Sequence, residues 1–116
     1  MSSTYNESDL SAPARDMHRA LASLQEELEA VDYYHQRADR TEDAGLKAVL
    51  LHNRNEEIEH AVMLLEYLRR IVPEFDTQLK TYLFSTQPIT TIEAGGAAGK
   101  AAGSSDLGLR NLKQEN

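Results

Sequence analysis

The sequence predicts an all-α protein: an antiparallel two-helix hairpin and a short third helix, with a four-helix bundle completed when two chains associate. Three observations carry this. Helix-forming residues dominate roughly the first seventy positions, with no strand-like alternation of any useful length. Apolar residues recur at alternating steps of three and four along two long stretches separated by the turn Asp39-Arg40-Thr41-Glu42-Asp43. A lone hairpin also cannot bury an apolar stripe on each of its helices, so self-association is expected on packing grounds.

The elements follow in order. Residues 1–12 begin with Ser2, Ser3, Thr4, Asn6 and Ser8 and are expected to be disordered. Ser11 is the expected N-cap of the first helix, and Pro13 is tolerated in its first turn, where the missing N–H would have no partner anyway. From Ala14 to about Arg40 the series Met17, Leu21, Leu24, Leu28 and Val31 repeats the helical step. Thr41 is the expected cap of the second helix, with Glu42 and Asp43 at the positive end of its dipole. That helix runs from about Glu42 to Val72 and is ended by Pro73; Gly45 weakens it by up to ~1 kcal/mol relative to Ala. Phe75, Leu79, Tyr82 and Leu83 share one face of a third helix, about Glu74 to Phe84, which is expected to pack across the hairpin or onto a neighbouring subunit. The folded domain is thus 13–90. Residues 91–106 are Gly/Ala/Ser-rich and read as a flexible linker. Apolar residues return in 107–116 as Leu107-Gly108-Leu109-Arg110-Asn111-Leu112-Lys113. An apolar peptide on a flexible tether reads as a docking segment, the alternative being a frayed tail.

At 116 residues and 41% apolar content the chain suits one domain. A formal net charge of −7 disfavours nucleic acid and anionic membrane surfaces and favours cations. Cysteine is absent, which excludes disulfides, thiolate metal sites and a cysteine nucleophile. No apolar run is long enough for a membrane span or a signal peptide, so a cytoplasmic location is expected.

The chemistry sits where polar residues interrupt the apolar stripes. In the second helix the seam reads Leu46, Leu50, Asn53, Glu57, His60, Leu64, Tyr67, Ile71; in the first it reads Ala20, Leu24, Glu27, Val31, Tyr34. Taking an ionised carboxylate out of water costs several kcal/mol even after relaxation, and a bound cation offsets that cost. Glu57 and His60, three residues apart, leave one face of a helix and converge. Glu-x-x-His with a lone Glu from another helix is the donor pattern of four-helix di-iron and di-manganese proteins. One chain supplies half of it. Two chains would bring two copies each of Glu27, Glu57 and His60, a hard oxygen-rich set for two ions of iron or manganese. The alternative is a hydrogen-bonded polar pair that only fixes helix register, in a non-enzymatic interaction module. Glu26, Glu29, Glu56 and Glu59 read as lying outside the ligand set, on a solvated face, with a role in guiding Fe²⁺ inward as the alternative for Glu26 and Glu29. Tyr34, one heptad from Glu27, is either a neighbour of the site or a core aromatic with a polar tip. His18, His35 and His52 read as surface or packing residues.

The segments SLQEELEAVDYYHQR and LKAVLLHNRNEEIEHA, with Tyr82-Leu83-Phe84 before Pro88, resemble the encapsulated ferritins over roughly Leu21 to Ile89. The tail LGLRNLK resembles the peptides that load cargo into encapsulin shells, with Arg110 where a second Gly is common. The resemblance implies a half-ferritin hairpin, a ferroxidase centre of two irons across a subunit interface, and a ring-shaped decamer. It implies oxidation of Fe²⁺ by O₂, with Glu27, Glu57 and His60 as ligands, Tyr34 beside them, and Glu26 and Glu29 as an uptake or secondary metal site. It also implies an encapsulin shell partner bound through Leu107–Lys113, inside which the mineral is stored. A related di-iron oxidase or peroxidase on the same bundle is the nearer alternative.

Overall fold

A computed structural model describes residues 7–92 of the chain. Its described elements are all helical: α1 (Ala12–Arg40), α2 (Ala44–Ile71) and α3 (Pro73–Tyr82), with 3₁₀ turns at Glu7–Asp9 and Ile89–Thr91. The expected linker beyond Ile92, the docking peptide 107–116 and residues 1–6 lie outside the described residues.

α1 starts where its expected cap places it, with Pro13 in the first turn. The Ser11 hydroxyl accepts from the backbone N–H of Ala14 at 3.3 Å, so Ser11 caps a helix whose first residue is Ala12. Upstream, where composition suggested disorder, Arg15 donates to the carbonyls of Leu10 (2.8 Å) and Glu7 (3.4 Å), and Arg19 pairs with the Glu7 carboxylate at 2.8 Å. Arg37 and Arg40 stand in the last turn, at the negative end of the helix dipole.

Thr41 does not cap α2. Asp43 does: its carboxylate accepts from the N–H of Leu46 at 2.7 Å, and its carbonyl accepts from Lys47 at 2.9 Å. Thr41 instead steadies the turn by accepting from the N–H of Asp43 at 3.2 Å. An anionic cap at the positive end of a helix is favoured over a neutral one, which accounts for the start at Ala44 rather than Glu42. At the other end of α2, Glu66 accepts from Arg69 and Arg70, each at 2.8 Å. These hydrogen bonds, Arg69 first, hold its pKa down at about 2.

α1 packs against α2 as an antiparallel hairpin. The buried apolar residues among those described are Ala20, Ala38, Ala61 and Leu68. Three are alanines, and small side chains at a contact let helix axes approach closely. The line of α2 that is most covered therefore runs through Arg54, Ala61 and Leu68, with Leu50, Glu57 and Leu64 beside it. The expected seam is displaced from this line: Leu46, Tyr67 and Ile71 are 48%, 43% and 41% exposed, and His60 is exposed as well. On α1, Leu24, Glu27, Val31 and Tyr34 are half-buried as expected, whereas Leu28 is exposed.

The described residues from Val72 to Ile92 belong to a second compact unit. Pro73 opens α3, and Phe75, Leu79 and Tyr82 are half-buried. The helix stops at Tyr82, two residues short of the expected Phe84. Phe84 takes a left-handed φ of 62° and its side chain is fully exposed. The Tyr82 hydroxyl then donates to the carbonyl of Ile92 at 3.1 Å, tying the end of the described chain back to α3.

The cap assignment is testable by thermal unfolding. Asp43→Ala is expected to destabilise the protein by about 1 kcal/mol, and Thr41→Ala by less. The reverse order would restore Thr41 as the cap.

Candidate metal centre

α1 contributes Glu27 and α2 contributes Glu57 and His60. One ligand atom from each lies within 4.8 Å of the other two. His60 Nδ1 is 3.3 Å from Glu57 Oε1 and 3.4 Å from Glu27 Oε1, so a single ring nitrogen faces both carboxylates. The Glu57–His60 contact follows from their i,i+3 spacing on one helix. The Glu27 contact depends on the register of the hairpin.

Solvent reaches the group unevenly. The side chains of Glu27 and Glu57 are 27% and 25% exposed, and that of His60 is 45% exposed. Glu27 has a raised pKa, chiefly because it hydrogen-bonds Glu57, then because of burial and the negative charge of Glu57; His60 opposes the shift. A second negative charge this close disfavours ionisation of Glu27. For His60, burial pulls the pKa down, but the hydrogen bond to Glu57 and the charges of Glu27 and Glu57 outweigh it, and the net shift is upward. Two carboxylates and an imidazole are hard or borderline donors, suited to a divalent first-row ion.

The other candidates fall elsewhere. Glu26 and Glu29 are exposed on the outer face of α1, and Glu29 accepts from the hydroxyl of Tyr33 at 3.0 Å. Tyr34 is half-buried on the Glu27 side, and the Arg37 guanidinium lies over its ring at 5.9 Å from the centroid. Glu56 and Glu59 are exposed, and Glu56 faces His52 at 3.8 Å. The sequence reading missed one polar contact between the helices: Arg54 Nη1 lies 3.1 Å from His35 Nδ1, while its other nitrogens hold Asn55. Nothing in the sequence signals a pair nineteen residues apart. The Tyr33–Glu29 contact does carry a signal, the i,i+4 spacing of a donor and an acid.

Residues 2–86 match the signature of the family described as EncFtn-like. The chain belongs to the EncFtn-like family. It is 50% identical over 114 residues to a ferritin-like protein of Thermotoga maritima, covering 97% of this chain and all of that one. It is 49% identical over 109 residues to an encapsulated ferritin-like protein of Rhodospirillum rubrum, covering 84% and 78% of the two chains. An encapsulin nanocompartment cargo protein of Myxococcus xanthus is 31% identical over 91 residues, 73% of this chain and 70% of that one. A crystal structure of a Nitrosomonas europaea protein shares the fold with a TM-score of 0.73 at 55% identity, covering 77% of this chain and 98% of that one. No described helix is long and apolar enough to cross a membrane.

The raised pKa values fix the sign of a stability prediction. Folded Glu27 and His60 hold protons that the unfolded chain would release, so the metal-free protein is expected to lose stability as pH rises from the ordinary Glu value of 4.5 through their raised pKa values. Glu27→Gln removes one of the repelling charges. In chelator near neutral pH it is expected to melt above the parent, while losing the rise in melting temperature that added Fe²⁺ or Mn²⁺ gives the parent. Melting curves recorded with and without metal under argon check both. A variant that is less stable in chelator would show the trio to be a stabilising polar cluster.

Proposed function

We propose that the chain is a ferroxidase, oxidising Fe²⁺ to Fe³⁺ with O₂ at a di-iron centre shared by two chains, and that it works as cargo inside an encapsulin shell in the cytoplasm. The observation that carries this is the convergence of Glu27, Glu57 and His60 on one point within a single chain. It is half the donor set of the four-helix di-iron proteins, and a two-fold axis supplies the other half. The exposure of His60 and of the apolar residues Val49, Met63, Tyr67 and Ile71 supports a second chain lying against this side of α2. Membership of the family, and the ferritin-like and encapsulin-cargo names of the relatives, support iron as the substrate and a shell as the partner.

In this reading Fe²⁺ is substrate. Glu27, Glu57 and His60 of both chains would hold two ions, and the negative charge of the carboxylates would favour the ferric product by neutralising its extra charge. Glu26 and Glu29, on the outer face of α1, attract Fe²⁺ and form the uptake or secondary site. Tyr34 borders the centre. The pairs of chains assemble further into a ring, for which a decamer is the expected size, and the shell rather than the ring holds the mineral. Leu107–Lys113 is the segment proposed to bind that shell.

Aerobic oxidation of added Fe²⁺ tests the centre. The protein is expected to outpace a no-protein control, and a Glu27→Ala, Glu57→Ala, His60→Ala variant is expected to fall to the control rate. Equal rates for all three samples would remove the ferroxidase assignment. The shell partner is tested separately. Deleting Leu107–Asn116 is expected to abolish loading into a co-expressed encapsulin shell while Fe²⁺ oxidation persists; continued loading would show that another surface does the docking.

A further inference from the structure

α3 ends in an exposed apolar group. Leu83, the residue that closes the helix, is 47% exposed, Phe84 is 99% exposed and Ile89 is 72% exposed. Phe84 stands just past the C-cap with a left-handed φ of 62°, where glycine is the usual residue because a side chain there crowds the backbone. The loop around it is tied down. The Tyr82 carbonyl accepts from the Ser85 hydroxyl at 2.7 Å and from the Ser85 N–H at 3.4 Å, and the Tyr82 hydroxyl donates to the carbonyl of Ile92 at 3.1 Å. Between those ties the Thr91 hydroxyl donates to the carbonyl of Pro88 at 2.8 Å. Backbone strain persists only where its surroundings impose it. These bonds impose it here, and the result is an aromatic ring held wholly in solvent.

We propose that Leu83, Phe84 and Ile89 form a docking surface for the chain's own segment 107–112. An apolar ring fixed in water gains nothing from the strain that places it there, whereas a partner that covers it buries a large aromatic side chain. The occupant follows from where the described chain ends. Ile92 is one hydrogen bond from Tyr82, and residues 93–106 then lead to Leu107, Leu109 and Leu112, the large apolar residues that follow Ile92 in the sequence. A coil of that length and Gly/Ala/Ser-rich composition spans about 20 Å. Such a tether lets the leucines return to the loop from which it starts, at an effective concentration on the order of millimolar. A separate partner in dilute solution has no such advantage.

The contact is apolar at its centre, three leucines against Leu83, Phe84 and Ile89. Arg110 and Lys113 can lay their aliphatic stems along such a surface while their charged ends stay in water. The ferroxidase reading has no bearing on this contact. The shell reading gives it a consequence: the segment proposed to bind a shell is the one held here, so a shell must displace it from the loop in order to bind it.

Two measurements on the full-length chain test the contact, and neither needs iron or a shell, so it stands or falls apart from the function proposed above. The sequence contains no tryptophan, so Phe84→Trp places a single fluorescent reporter at a fully exposed position of the loop. Quenching of its emission by acrylamide is expected to be several-fold weaker than in the same chain carrying Leu107→Ser, Leu109→Ser and Leu112→Ser. Equally strong quenching in both would leave the loop uncovered. Equally weak quenching in both would show that another surface, such as a second copy of the chain, covers it. Either result overturns the proposal. The second measurement identifies the contact. On illumination, Leu109→p-benzoylphenylalanine is expected to form an adduct with residues 83–89 that runs at the mass of one chain on a denaturing gel. Adducts confined to other residues, or running at the mass of two chains, overturn the proposal as well.

Discussion

Two carboxylates held against one imidazole, across a contact between two helices, set the terms for the rest of this molecule. Glu27 and Glu57 repel each other when both are ionised, and the closeness of Glu57 is the chief reason that the pKa of Glu27 is raised. That arrangement exists only because the helices run close and in a fixed register. The alanines at Ala20, Ala38 and Ala61 allow the close approach. Register depends on the ends of the helices: a shift of α2 by one residue would rotate each side chain by about 100° around the axis and carry Glu57 away from Glu27. The cap at Asp43 and the short turn before it are therefore part of the site, although they lie several turns from it.

The trio was legible in the sequence because it breaks a rule twice: an acid interrupts an apolar stripe on each of two helices at matching depth. The line along which α2 meets α1 was not legible. Apolar residues surround much of α2, so periodicity offers several stripes, and a reading that follows the largest side chains picks Leu46, Tyr67 and Ile71. The structure instead buries Ala61 and Leu68. The cap was misplaced for a related reason, since Thr41 and Asp43 are both good cap residues and the choice between them rests on charge at the helix end. The stop at Tyr82 came from the backbone of Phe84, whose left-handed conformation no aromatic residue advertises. Contacts between residues far apart in the chain, such as Arg54 with His35, leave no periodic trace at all.

The displaced seam has a structural meaning. Viewed down α2, the line through Ala61 and Leu68 is flanked on one side by Val49, His60, Met63, Tyr67 and Ile71, and on the other by Ile58 and Val62. A helix that is apolar on more than one side is normally covered on more than one side. The flank that carries His60 is the one a second chain must cover to complete the proposed centre. In the proposed ring the flank with Ile58 and Val62 would face a different neighbour. Two dissimilar contacts on one helix are what a ring of paired chains requires, whereas a closed pair needs only one.

Charge is distributed along the same lines. Arg37 and Arg40 end α1 and Arg69 and Arg70 end α2, and an antiparallel hairpin places these two basic turns at opposite ends. Between them lie Glu26, Glu27, Glu29, Asp32, Glu56, Glu57 and Glu59. The negative field is thus concentrated at the waist of the hairpin, where the ligand atoms converge, and this favours the approach of a cation. It also burdens the metal-free state with repulsion among acids that lie outside the trio. A cation bound at the trio relieves part of that repulsion along with the direct conflict between Glu27 and Glu57. Its stabilising effect should therefore exceed what its own ligand contacts supply, and should shrink as added salt screens the outlying acids. A site whose affinity came only from its three ligands would lack that part of the salt dependence.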